Sequence, residues 1–307
     1  MDEATIALII VATIFGIYSV FASIECGLSI LRFWPKLAVN PTKSLGLFVS
    51  IWEVTNVFLV MGFTAFAILF NTVSVGILPT IAPAIALGAS FLLIRGLLVL
   101  LLFYRKSKVG ASIGNLLFAA TSFGVPLSFA SVGIFMLTGH QFWQSFTSVS
   151  LLLIAALGLA AMGLAFVRWH EAANKPLVAV SYLIAAFWLT LLMVLPTISK
   201  IDQPHLDFAA SALLLPLLAI SGGLAIITTK PRHRAKLLWI ITLCVGAITP
   251  LVLATANMPF VAYPKFTLAT SFTAHGAVGT LMIGSLITLP VFAIGFWMLY
   301  KLLFKKV

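Results

Sequence analysis

Apolar residues run along this chain in blocks of twenty or more, with the polar and charged residues gathered into short stretches between them. An α-helix needs about 20 apolar residues to cross the hydrocarbon of a bilayer. A window of that length predicts nine spans, at roughly 4–32, 46–70, 78–104, 112–137, 147–168, 176–199, 207–229, 237–257 and 273–300. No block alternates with period two, so the spans are read as helices and not as barrel strands. The longest connection is about 16 residues, too short for a soluble domain, which puts the function in the membrane or at its faces.

Composition excludes the soluble classes. Hydrophobic residues make up 62% of the 307 positions and charged ones 8%, with a mean hydropathy of +1.18; 18 basic and seven acidic side chains cannot assemble an aqueous surface. The basic excess is not a nucleic-acid patch, because it falls in short clusters between the spans. These are Arg32, Lys36 and Lys43; Arg105, Lys106 and Lys108; Arg168 and Lys175; Lys230, Arg232, Arg234 and Lys236; and Lys301, Lys305 and Lys306. Every second connection is basic, while the stretches 71–76, 139–144, 201–205 and 263–270 carry only Lys265, with Lys200 beside them. The positive-inside rule then sets the N-terminus outside and the C-terminus in the cytoplasm, which an odd number of spans also requires. Trp34, Trp143, Trp169, Trp239 and Trp297 near span ends fit an aromatic belt. Acidic Asp2 and Glu3 before a long apolar run predict a retained first span, not a cleaved signal.

Against this background three charges stand out. Glu25 lies seven residues before Arg32, Glu53 seven residues after Gly46, and Arg95 ten residues before Arg105. At 1.5 Å per residue this sets the acids roughly 10 Å and the base roughly 15 Å inside the boundary. A charge at a helix centre in lipid costs roughly 3 kcal/mol, so all three are expected to face a protein interior. One reading is a structural ion pair between Arg95 and one glutamate. The other adds that the second glutamate carries protons inward from the cytoplasm. Ser19, Ser23, Ser29, Thr55 and Asn56 supply polar atoms nearby.

The remaining chemistry is mostly exclusion. A b-type haem needs facing axial ligands inside the membrane, yet His140, His170, His205 and His233 fall in connections and only His275 enters a span. Cys26 and Cys244 both lie in apolar segments and have no metal-ligand spacing. Pro83, Pro126, Pro196, Pro216, Pro250 and Pro290 are expected to kink their spans. Small residues such as Ala156, Ala160 and Gly163, or Gly222 and Gly223, allow close helix approach.

The stretch Trp52, Glu53, Val54, Thr55, Asn56, Val57, Phe58, Leu59 resembles the second-helix signature of subunit II of cytochrome bd-type quinol oxidases: Trp, Asp, Gly, Asn, Gln or Glu, Val, Trp, Leu. Phe21, Ala22, Glu25 and Gly27, then Arg95 with Gly96, then Met258, Pro259, Phe260 and Val261, and finally Leu289, Pro290, Trp297 and Tyr300 resemble its further anchors, in the right order. The family's second helix-one acid falls on Leu28, Val54 and Thr55 replace its Gly-Asn pair, and the spacing after Arg95 is longer, as in a divergent branch.

The resemblance implies an all-α membrane fold of nine helices: a first four-helix bundle (1–137), a second (147–257), and a ninth peripheral helix with a basic tail (273–307). It implies a haem-free chain paired with a haem-bearing subunit I, with small accessory subunits, quinone or lipid as further companions. The partner would oxidise quinol and reduce oxygen, while this chain stabilises it and passes protons through Glu25 and Glu53, tuned by Arg95 and supported by Ser23, Thr55 and Asn56. The rival reading is a proton-coupled secondary transporter, although the first four spans show no convincing repeat in the next four. A haem-free assembly factor is a third.

Overall fold

The computed structural model describes residues 2–34, 41–104, 111–170, 175–202 and 231–274, with scattered positions from 276 to 294. They form seven long helices: α1 (Glu3–Phe33), α2 (Pro41–Leu69), α3 (Asn71–Tyr104), α4 (Ala111–Thr138), α5 (Phe146–His170), α6 (Lys175–Asp202) and α7 (Pro231–Ala256). Six of these, all but α6, contain stretches long and apolar enough to cross a membrane; α6 has a shorter apolar stretch, Ala179–Leu195. The expected span at 207–229 and most of that at 273–300, with His275, Pro216, Gly222 and Gly223, lie outside the described residues.

Local chemistry sets the ends. Asp2 caps α1, its carboxylate accepting the Thr5 N–H at 3.3 Å, and hydrogen bonding by Thr5 holds that carboxyl below its usual range. Residues 71–76 are helical from Asn71 onwards, not the connection their polar residues suggested. The turn shrinks to Phe70, whose N–H donates to Phe66 O at 2.9 Å, while Ser74 N–H donates to Phe70 O at 2.9 Å. Polar side chains need not break a helix when its own carbonyls accept them, and Ser74 Oγ donates back to Phe70 O at 3.0 Å. Pro83, Pro126 and Pro250, and also Pro79, sit inside helices.

The middle of the bundle is α1, which packs on α2, α4, α5 and α7. Two glycines let it do so. A Cβ on Gly27 would stand 2.3 Å from the carbonyl carbon and oxygen of Gly163 on α5, and one on Gly16 would stand 2.2 Å from Ala247 O on α7. Backbones touch at both crossings, the close approach anticipated for Gly163.

A feature absent from the helical expectation caps one end. Strands β1 (Phe260–Ala262) and β2 (Phe266–Thr267) pair antiparallel, followed by a single turn α8 (Leu268–Ser271). Tyr263 N–H donates to Met136 O at 2.9 Å and Thr273 N–H to Leu69 O at 3.3 Å. The hairpin therefore covers the α2–α3 turn and the end of α4, opposite the basic ends of the helices.

Candidate functional site

Helices α1, α2 and α3 meet at a buried ion pair. Arg95 Nη1 donates to Glu25 Oε2 in a short contact, with the two residues 1% and 0% exposed. Arg95 Nη2 donates to Asn56 Oδ1 at 3.3 Å. Thr55, buried on the same turn of α2, faces the Glu25 carboxylate and gives its own proton to Ile51 O at 2.8 Å. Four of the six residues singled out from the sequence thus come together: Glu25, Arg95, Thr55 and Asn56.

The other two do not join them. Ser23 is buried on α1, but its hydroxyl donates to Val20 O at 2.6 Å and its carbonyl borders Gly163 at the α5 crossing, so its place is structural. Glu53, expected to face the interior, points out of the chain from the exposed face of α2, in line with exposed Val57 and Val60. At 100° per residue, burying Thr55 and half-burying Asn56 turns Glu53 away.

Around the pair lie polar atoms that are buried yet have no hydrogen-bond partner among the described residues: Glu25 Oε1, Arg95 Nε, Tyr18 OH, Trp52 Nε1 and Ser122 Oγ. Tyr18 lies within electrostatic range of both Glu25 and Arg95, and Cys26 Sγ donates to Ser122 O at 3.4 Å. Of these, only Glu25 and Arg95 announce themselves in a sequence; a tyrosine, a tryptophan and a serine in apolar helices are common enough to pass unmarked. Buried polar atoms left without such partners suit small polar guests such as water.

On the basic side of this layer the described helices bring apolar side chains together, with Ser29 buried among them. Leu28 and Leu31 of α1, Phe48 and Ile51 of α2, Leu98 and Val99 of α3, and Phe118 of α4 form one buried apolar cluster, with Phe48 edge-on to Phe118 at 4.6 Å.

A second buried guanidinium, Arg168 of α5, was expected in a connection. It is 8% exposed, and its Cζ lies 4.5 Å from the centre of the Tyr182 ring of α6. Among the described residues, no group of His, Cys, Asp and Glu is arranged to hold a metal ion.

The family profile described as "Cytochrome bd terminal oxidase subunit II" matches residues 3–303. This chain belongs to that family. As a subunit II it is a multi-pass plasma-membrane protein that forms part of a quinol:oxygen oxidoreductase and pairs with a haem-bearing subunit I. That membership sets aside solute transport. A chain from "The structure of bd oxidase from Geobacillus thermodenitrificans" superposes with a TM-score of 0.81 at 17% identity, over 100% of both chains, and so shares its fold. No curated protein sequence matches.

Proposed function

We propose that this subunit II, besides stabilising subunit I, passes protons towards the oxygen-reducing site through Glu53 and Glu25, with Arg95 setting the charge balance between them. In this reading the chain crosses the membrane nine times with its N-terminus outside. Residues 1–137 and 147–257 form two four-helix bundles, and 273–307 a ninth helix and cytoplasmic tail.

The observation that carries the proposal is the pairing of an outward acid with an inward one across a single helix turn. Glu53 stands on the open face of α2, three residues from Asn56, which is bonded to Arg95 and through it to Glu25. A carboxylate on an apolar, lipid-depth face costs roughly 3 kcal/mol; against a partner subunit it meets protein instead. The apolar cluster of Leu28, Leu31, Phe48, Ile51, Leu98 and Phe118 disfavours a direct route from the basic ends along the bundle axis. Protons therefore reach the buried pair sideways, across the face that carries Glu53. Arg95 is already paired with Glu25, which leaves Glu53 as the acid on the outer face of α2.

Glu53→Gln keeps shape and removes the titrating group. Oxygen consumption by the assembled complex is expected to fall about a hundredfold, the lower end for loss of a positioned proton carrier, with haem content unchanged in the visible spectrum. Unchanged turnover would leave Glu53 a structural residue and end the proposal.

A further inference from the structure

Two contacts fix the register of α1 against α4. Arg32 Nε donates to Asn115 Oδ1 at 2.8 Å near the basic ends, and Cys26 Sγ donates to Ser122 O at 3.4 Å beside Glu25, so the helices run antiparallel. Six residues separate the two contacts on α1 and seven on α4, a distance of roughly 10 Å at 1.5 Å per residue. Both ends of this stretch are polar. Arg32 and Asn115 are half-buried, while at the other end Glu25 Oε1 and Ser122 Oγ are buried and have no hydrogen-bond partner among the described residues.

Phe118 stands between them. It lies three residues from Asn115 and four from Ser122, is 2% exposed, and has its ring held from two sides. The Arg32 guanidinium carbon is 5.7 Å from the ring centre, within reach of a cation–π contact, and Phe48 of α2 meets the ring edge-on at 4.6 Å. Leu28, Leu31, Ile51 and Leu98 pack around the two rings. The hydroxyls closest to this level donate into their own helices, Ser29 Oγ to Cys26 O at 2.7 Å and Thr121 Oγ1 to Leu117 O at 2.9 Å. Water enters a narrow passage only where polar partners replace its own hydrogen bonds, so an apolar constriction stays dewetted.

We propose that Phe118, held in place by Arg32, is the barrier that keeps water at the basic end of the bundle out of the Glu25–Arg95 layer. The gap between the Arg32–Asn115 contact and the unpartnered atoms beside Ser122 is short enough for a few waters to bridge, and this ring interrupts it. Its function is insulation. Glu25 exchanges protons only through its other surroundings, which in the reading above means the face that carries Glu53. The barrier itself does not depend on Glu53 carrying protons. Arg32 and Asn115 are positioning residues that act through the ring.

Cys26 is a native reporter for the test, because it is 0% exposed and its thiol lies beside Ser122 on the protected side. The whole haem-containing complex in nanodiscs is moved into heavy water, and the infrared S–H band that Cys26→Ala removes is followed as it converts to S–D. Phe118→Ser opens the layer and adds a hydroxyl, and it is expected to speed that conversion at least about tenfold by lowering the cost of local water entry. Arg32→Gln frees the ring without emptying its place and is expected to speed conversion about two- to threefold, the effect of losing one cation–π contact; it decides the matter if Phe118→Ser fails to assemble. Leu192→Ser, at a buried position of α6 outside this layer, controls for general loosening and is expected to leave the band in place. Unchanged exchange in Arg32→Gln and in any assembled Phe118→Ser complex overturns the proposal. So does equal acceleration by Leu192→Ser, or a native complex whose band converts as fast as that of Phe118→Ser.

Discussion

Arg95→Met is expected to abolish recovery of the haem-containing complex. The substitution removes the only ion-pair partner of Glu25 among the described residues and leaves a carboxylate with 0% exposure. Breaking a buried pair from one side costs about 3–5 kcal/mol, a large part of the roughly 5–15 kcal/mol that separates most folded proteins from unfolding. Asn56 Oδ1 loses the Arg95 Nη2 donor in the same stroke. The check is the haem absorbance that copurifies with a tagged subunit II. Combining Arg95→Met with Glu25→Gln removes both charges, and replacing a whole buried pair by neutral groups is often close to neutral for stability. The double variant is therefore expected to restore the coloured complex. If it assembles no better than Arg95→Met alone, the pair acts through shape and not through charge.

The second large effect belongs to the α1–α5 crossing. In Gly163→Val even the first side-chain carbon meets Ser23 O at 2.0 Å and Gly27 N at 2.5 Å. These are backbone atoms, so nothing can swing aside and the helices must part. Overpacking costs typically about 1–3 kcal/mol, and here it also shifts α1, which carries Glu25 and packs on four other helices. The thermal midpoint of the purified complex, followed by haem absorbance, is expected to fall steeply or the complex to be lost. Gly133→Ala on α4 is the matched control. Nothing lies within 4 Å of its added carbon, and alanine favours a helix over glycine by about 1 kcal/mol, so its midpoint is expected to hold or rise. A Gly163→Val complex as stable as that control would contradict the crossing.

Both expectations depend on features that stand at different distances from the sequence. The crossing was anticipated only as a tendency of small residues, because many glycines in apolar helices are compatible with close approach and only the packed bundle selects Gly27 with Gly163 and Gly16 with Ala247. The ion pair was nearer the surface of the text. Charges are so scarce in these spans that Glu25 and Arg95 had to find each other or another partner.

Hydropathy and charge by themselves determined that this is a helical, multi-span chain, where most of its helices start and stop, and which buried charges require an explanation. These follow from transfer free energies, which act residue by residue whatever the final packing. The ordered short anchors from Phe21 to Tyr300 pointed to the family that the profile over residues 3–303 shows. Only the tertiary structure decided which way each helix faces. In lipid both sides of a helix are apolar, so there is little amphipathic contrast from which to read rotation. For that reason Glu53 was expected inside and lies outside, and Arg168 was expected in a connection and lies under Tyr182. Tyr18 and Ser122 came into view only once the helices around Glu25 were in place.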